Sequence, residues 1–183
     1  MIIKRIFDII LATFGIFFLS SILLLGFVIA SIDTNSNGLF LQKRIGQYGK
    51  VFKIFKLKTI HPKNQKISNI GKFLRNSKID ETPQLFNVLI GNMSFVGPRP
   101  DFAGYYDKLE GEKRKILELK PGITSLASIK YYNEEKLLAA QNDPLQYNDE
   151  IIFPDKVRMN LKYYYERTFM MDLKIIVETF IKF

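Results

Sequence analysis

Twenty-four consecutive residues from Ile9 to Ile32 (IILATFGIFFLSSILLLGFVIASI) carry no charge. As one α-helix the run would be about 36 Å long, enough to cross a hydrocarbon core of about 30 Å. A membrane-bound chain is therefore expected. The competing reading is a cleaved signal peptide, since Lys4 and Arg5 precede the run and Val28-Ile29-Ala30 loosely resembles a cleavage site. The run is longer than the roughly 7–15 apolar residues of such leaders. Lys43, Arg44, Lys50, Lys53, Lys56 and Lys58 follow the run, so basic residues at both ends draw both towards the cytoplasm. A segment that enters the bilayer and returns satisfies both ends. It needs a break near its middle, and Ser20-Ser21 offers hydroxyls that bend helices by bonding backbone carbonyls.

The remaining chain brings fewer constraints. A length of 183 residues suits one main body, and the absence of cysteine excludes a disulfide framework and a thiol nucleophile. A net charge of +9 calls for an anionic partner: nucleic acid, an anionic membrane surface or a phosphorylated substrate. No recognisable nucleic-acid reading motif is present.

After the polar cluster TNSNG, LFLQKRIG and KVFKIFKLKTI flank the turn Gln47-Tyr48-Gly49 and predict a basic β-hairpin. ISNIGKFLRNSK and PQLFNVLI are helical in pattern, the second with Leu85, Phe86, Val88 and Leu89 on one face and a stop at Gly91-Asn92. Residues 102–119 read as a charged amphipathic helical stretch, YNEEKLLAAQ as a short helix, and about 155–166 and 170–181 as two final amphipathic helices. Their Tyr163, Tyr164, Tyr165, Met170 and Met171 suit a core or a headgroup boundary. His61, beside Pro62 with no cysteine or second histidine, is not expected to hold metal.

Two adjacent carboxylates, Asp80 and Glu81, stand just before Pro83. Proline is tolerated only in the first turn of a helix, so a helix through Leu89 must begin near Asp80 to Thr82, with both acids at its positive end and kept ionised there. On that basis alone an ordinary N-cap with a first-turn acid, which is common, is the better explanation of the pair. Arg75 precedes the pair, and Arg99 follows between Pro98 and Pro100 on a stiff backbone suited to gripping phosphate. Basic groups beside two acids suggest phosphate chemistry, in which one carboxylate holds Mg²⁺ and another attacks.

KRIFDIILA, LFLQKRIGQYGKVFKIFKLKTI, SKIDETPQLFNVLIGNMSFVGPRP, LKPGIT and LKYYYERTFMMDLKIIVET together resemble the small monotopic phosphoglycosyl transferases of the bacterial sugar transferase family, over nearly the whole chain. The resemblance implies an α/β, mostly helical enzyme. Its N-terminal helix, residues 1–33, would be re-entrant in the membrane. Residues 34–183 would form a cytoplasmic catalytic domain with a small β-hairpin and interfacial amphipathic helices. It also implies transfer of a phosphosugar from a UDP-sugar to polyprenol (undecaprenyl) phosphate at the cytoplasmic face of the bacterial inner membrane, as an opening step of surface glycan synthesis. Downstream glycosyltransferases would be partners. Asp80 would be the nucleophile that takes the phosphosugar and releases UMP, and Glu81 would bind Mg²⁺. Arg75, Arg99 with Pro98 and Pro100, Lys56 or Lys58, and Thr124 match the substrate-binding positions.

This chain departs from the family pattern at four places. Ser20-Ser21 replaces Ser-Pro, Thr82 a leucine, Ser125 a glycine, and Asn160 the expected aspartate. A catalytically altered membrane anchor or scaffold of a glycan pathway is the alternative, and the intact Asp80-Glu81 pair argues against it.

Overall fold

The computed structural model describes residues 2–182. It is mostly helical, so the strands occupy a smaller place than an α/β class implies. The apolar run does not form one straight span. Helix α1 (Ile2–Phe18) and helix α2 (Ser20–Thr34) meet at Leu19 and are bent by 64°. Neither alone is long and apolar enough to cross a membrane, whereas the pair together has the length and composition. The break falls one residue before Ser20-Ser21, and neither serine hydroxyl makes a hydrogen bond among the described residues. Backbone geometry at Leu19 (φ −93°, ψ 6°) makes the bend instead.

Strands β1 (Leu39–Ile45) and β2 (Val51–Leu57) form the expected hairpin. Its tight turn uses left-handed backbone at Tyr48 and Gly49, with φ of 59° and 74°. Helix α3 (Asn69–Asn76) starts at Ser68, whose hydroxyl accepts from Gly71 N–H and donates to Asp33 at the end of α2. Helix α4 (Gln84–Ile90) stops at Gly91, whose φ of 95° suits a residue without a side chain. The buried face of α4 is not the apolar row read from the sequence. Gln84, Leu85, Asn87 and Val88 are buried, while Phe86 is exposed.

Contacts divide the described residues into two compact units. The first joins α1 through Arg44 with Val51–Met93. Within it Ala30, Leu57, Leu74 and Ile79 form an apolar cluster, and Gly26 lets α2 approach β2 so closely that a Cβ there would lie 2.7 Å from Leu57. Arg5 on α1 donates to the carbonyls of Val88 and Leu89 at 2.6 and 2.8 Å, at the C-terminal end of α4 where Gly91 N–H also reaches Val88 C=O at 3.1 Å.

The second unit joins Ile45–Lys50 with the chain from Ser94 onward. Strands β3 (Ser94–Val96) and β4 (Gly122–Thr124) pair in parallel, an element the sequence pattern did not announce. Residues 102–119 are two 3₁₀ segments, Tyr106–Lys108 and Gly111–Glu118, rather than an α-helix. Short helices α5 (Leu126–Lys130), α6 (Glu134–Ala139) and α7 (Pro144–Tyr147) lead into α8 (Phe153–Glu166) and α9 (Phe169–Lys182). One core centres on Tyr106, Ile116, Leu117 and Val157, a second on Val96, Tyr163 and Ile175. Tyr163 is buried and bonded to Asp172, while Tyr164 and Tyr165 reach Glu118 and Glu112.

Candidate active site

The first unit carries the carboxylate pair. Asp80 and Glu81 lie in a separate 3₁₀ turn, Ile79–Glu81, and not in the first turn of α4, which begins only at Gln84 with Pro83 as its cap. The chain enters that turn through Lys78, held at a φ of 56°. Thr82 N–H bonds Ile79 C=O and Leu85 N–H bonds Thr82 C=O, so the turn runs directly into α4.

Asp80 is buried and its Oδ1 has no hydrogen-bond partner among the described residues. Burial, reinforced by the adjacent Glu81, pushes its carboxyl up to about 6, against the opposing charges of Lys56, Arg75 and Lys78. Because the pair lies in its own turn and not in the first turn of α4, burial governs the titration of Asp80. Desolvation outweighs the neighbouring cations at Asp80 and leaves it poised just below neutrality.

Cations surround the pair at set places. Lys56 on β2 bonds Glu81 at 2.8 Å, whereas Lys58 turns to the Ser36 hydroxyl at 3.0 Å. Of the two candidate lysines, therefore, Lys56 reaches the carboxylates. Arg75 ends α3 and donates through Nε to Thr59 Oγ1 at 2.9 Å. Asn87 is wholly buried and clamps α4 to β2, donating to Lys53 C=O at 2.7 Å and accepting from Phe55 N–H at 2.9 Å. Gln84, also buried, has an Nε2 without a partner among the described residues.

The second unit carries the Gly-Pro-Arg-Pro segment. Gly97 and Gly122 pack backbone to backbone, and a Cβ on either would lie 2.2 Å from a main-chain atom of the other segment. Gly122 N–H bonds Pro98 C=O at 2.9 Å and Ile45 N–H bonds Asp101 C=O at 2.9 Å, fixing the segment at both ends. A cavity of about 20 Å³, room for one water, lies against Pro98, Arg99, Pro100 and Tyr106. Thr124 is buried with its hydroxyl 2.6 Å from that of Thr179 on α9, so this side chain ties β4 to α9. Asn160, buried on α8, donates to the Tyr106 hydroxyl at 2.8 Å.

Sequence reasoning missed Arg5, Thr59, Gln84 and Asn87. Two of them left a trace, because Gln84 and Asn87 are polar residues inside an apolar helical run. Thr59 and Arg5 left none, since their partners are distant in sequence.

Adjacent acids, one of them desolvated and faced by lysine and arginine, have the electrostatic make-up of a site for phosphorylated ligands. The chain belongs to the bacterial sugar transferase family, whose profile matches residues 1–183. It is 32% identical over 199 residues to a UDP-glucose:undecaprenyl-phosphate glucose-1-phosphate transferase of Klebsiella pneumoniae, a match covering 100% of this chain and 40% of that protein. It is 31% identical over 189 residues to the uncharacterized sugar transferase EpsL of Bacillus subtilis, covering 98% of this chain and 86% of EpsL. Similarity to the galactosyl transferase CpsE of Streptococcus agalactiae is 30% over 203 residues, covering 98% of this chain and 41% of CpsE. The chain thus spans under half the length of two of these relatives.

Proposed function

We propose that this chain is a membrane-associated phosphoglycosyl transferase moving a phosphosugar from a UDP-sugar to undecaprenyl phosphate, with UMP as the other product. The relatives named for that activity support the substrate classes. The observation that carries the chemistry is Asp80, a buried carboxyl raised to about 6 beside Glu81 and within the field of Lys56 and Arg75. An ionised Asp80 oxygen attacks the phosphorus that bears the sugar. The bond from that phosphorus to the bridging oxygen breaks, and the electron pair leaves with UMP. A phosphate oxygen of the polyprenol then attacks the same phosphorus, and the Asp80 carboxylate departs unchanged. Splitting the transfer lets UMP leave before the lipid acceptor arrives.

Mg²⁺ fits this site. It is commonly bound through one or two carboxylates plus substrate phosphates, and the neighbouring Asp80 and Glu81, one with an unpartnered buried oxygen, offer that donor set. Glu81 would hold the ion, which when bound offsets the charge of the diphosphate. Lys56 orients the Glu81 carboxylate and Arg75 binds phosphate oxygens, while Arg99, kept on a rigid backbone by Pro98 and Pro100, retains the phosphate-binding role that the family resemblance implies.

The bent α1–α2 pair and the basic residues at both ends of the apolar run support a monotopic placement at the cytoplasmic face of the inner membrane. There the product would feed downstream glycosyltransferases of a surface glycan.

The test uses purified protein, Mg²⁺ and a panel of UDP-sugars without acceptor. About one UMP per site should appear rapidly, with a phosphosugar on the peptide containing Asp80; Asp80→Asn should abolish both. UMP that appears only when polyprenol phosphate is added, with no adduct after rapid quenching, would replace the covalent route with direct displacement.

A further inference from the structure

Arg75 is bonded at one edge only. Its Nε–H donates to Thr59 Oγ1 at 2.9 Å, and its two terminal nitrogens make no hydrogen bond among the described residues. It forms no ion pair with Asp80 among those residues, yet its charge reaches that carboxyl. A guanidinium has two edges that can take paired oxygens, one including Nε and one made by the terminal nitrogens. With the first edge engaged, only the second remains for a ligand.

Thr59 itself is held firmly. It is buried two residues beyond the end of β2. Its carbonyl packs against Gly71 of α3, where a Cβ would lie only 2.7 Å away. Gly71 and Arg75 are one helical turn apart and so share a face of α3. Backbone contact at the first and the hydroxyl bond at the second fix both the height and the rotation of Arg75 relative to β2. The same strand delivers Lys56 to Glu81.

We propose that Thr59 is a positioning residue, which orients Arg75 so that its terminal nitrogens grip two oxygens of the diphosphate in a nucleoside-diphosphate substrate. The idea rests on the transferase reading above. Without the hydroxyl the side chain of Arg75 regains rotational freedom, and part of the binding energy goes into ordering it again.

The experiment is a double-mutant cycle on the full chain, with KM for the UDP-sugar, kcat, melting temperature and affinity for inorganic pyrophosphate as readouts. Thr59→Val keeps the shape and deletes the hydroxyl. It should raise KM and weaken pyrophosphate binding by about tenfold, with kcat reduced less and melting within a few degrees of the parent. Thr59→Ser should restore both affinities to within about twofold. In an Arg75→Ala background, Thr59→Val should change neither affinity further, because the effect passes through Arg75. Additive losses in the double variant, or equal damage from Val and Ser, would make Thr59 merely structural and overturn the proposal. A parent protein that releases no UMP from any UDP-sugar while the pyrophosphate cycle behaves as described would sink the transferase reading alone. A parent that binds no pyrophosphate would overturn the Thr59 assignment.

Discussion

Asp80 shows how burial and function pull against each other in one side chain. Its carboxyl rises from 3.8 to about 6, chiefly through desolvation and then through Glu81. If the ionised form attacks, turnover should climb with pH through a limb near 6, well above an ordinary carboxylate. A pH–rate profile with its acid limb near 4 would show that another group governs the reaction. Stability follows the opposite sign. Between 3.8 and about 6 the unfolded chain has lost this proton while the folded chain retains it, so stability falls as pH rises and the full cost is present above 6. Asp80→Asn should therefore stabilise the fold above pH 6 by up to about 3 kcal/mol, or about 6–12 °C in melting temperature, with the gain vanishing below about pH 4. Melting curves across that range check the sign directly.

At the scale of elements, α4 carries the site more than its seven residues suggest. Asn87 ties its middle to β2, and Arg5 of α1 ties its end. The carboxylate turn runs straight into its start, so movement of α4 moves Asp80 and Glu81. Arg5→Met keeps a long apolar stem but leaves two carbonyls without their charged donor. We expect a loss of about 2 kcal/mol, or about 4–8 °C, and a fall in kcat larger than the change in KM. Equal melting temperatures for parent and variant would mean that water replaces the guanidinium at no cost. The break at Leu19 also belongs to this scale. Because Ser21 stands in the first turn of α2, where proline is tolerated, its place can accept the proline of the family pattern.

At the scale of the whole molecule, the bend between α1 and α2 governs topology. Phe17, Phe18, Leu24 and Ile32 are exposed to between 65% and 76%, an apolar surface of the kind that marks an interaction face. The monotopic placement proposed above covers it with a bilayer. If the pair enters and returns, cysteine tags at Ile2 and Asn64 should both resist a membrane-impermeant thiol reagent in intact cells. Labelling of the Ile2 tag alone would establish a full crossing.

Local patterns were enough for the sequence by itself to determine the apolar N-terminal run, the hairpin around Gln47-Tyr48-Gly49, α3, the stop at Gly91 and the last two helices. Each depends on neighbours within a few residues, so hydropathy period and turn chemistry reveal it. The carboxylate pair and Arg99 could be nominated as candidates for the same reason, being written into one continuous motif. Only the tertiary structure decided that Lys56 rather than Lys58 meets Glu81, that Thr59 holds Arg75, and that Asp80 is desolvated enough to titrate near 6. It also decided that β3 and β4 pair and that residues 102–119 wind as 3₁₀ segments. These depend on contacts between distant parts of the chain, and burial and charge at a point are sums over everything packed around it.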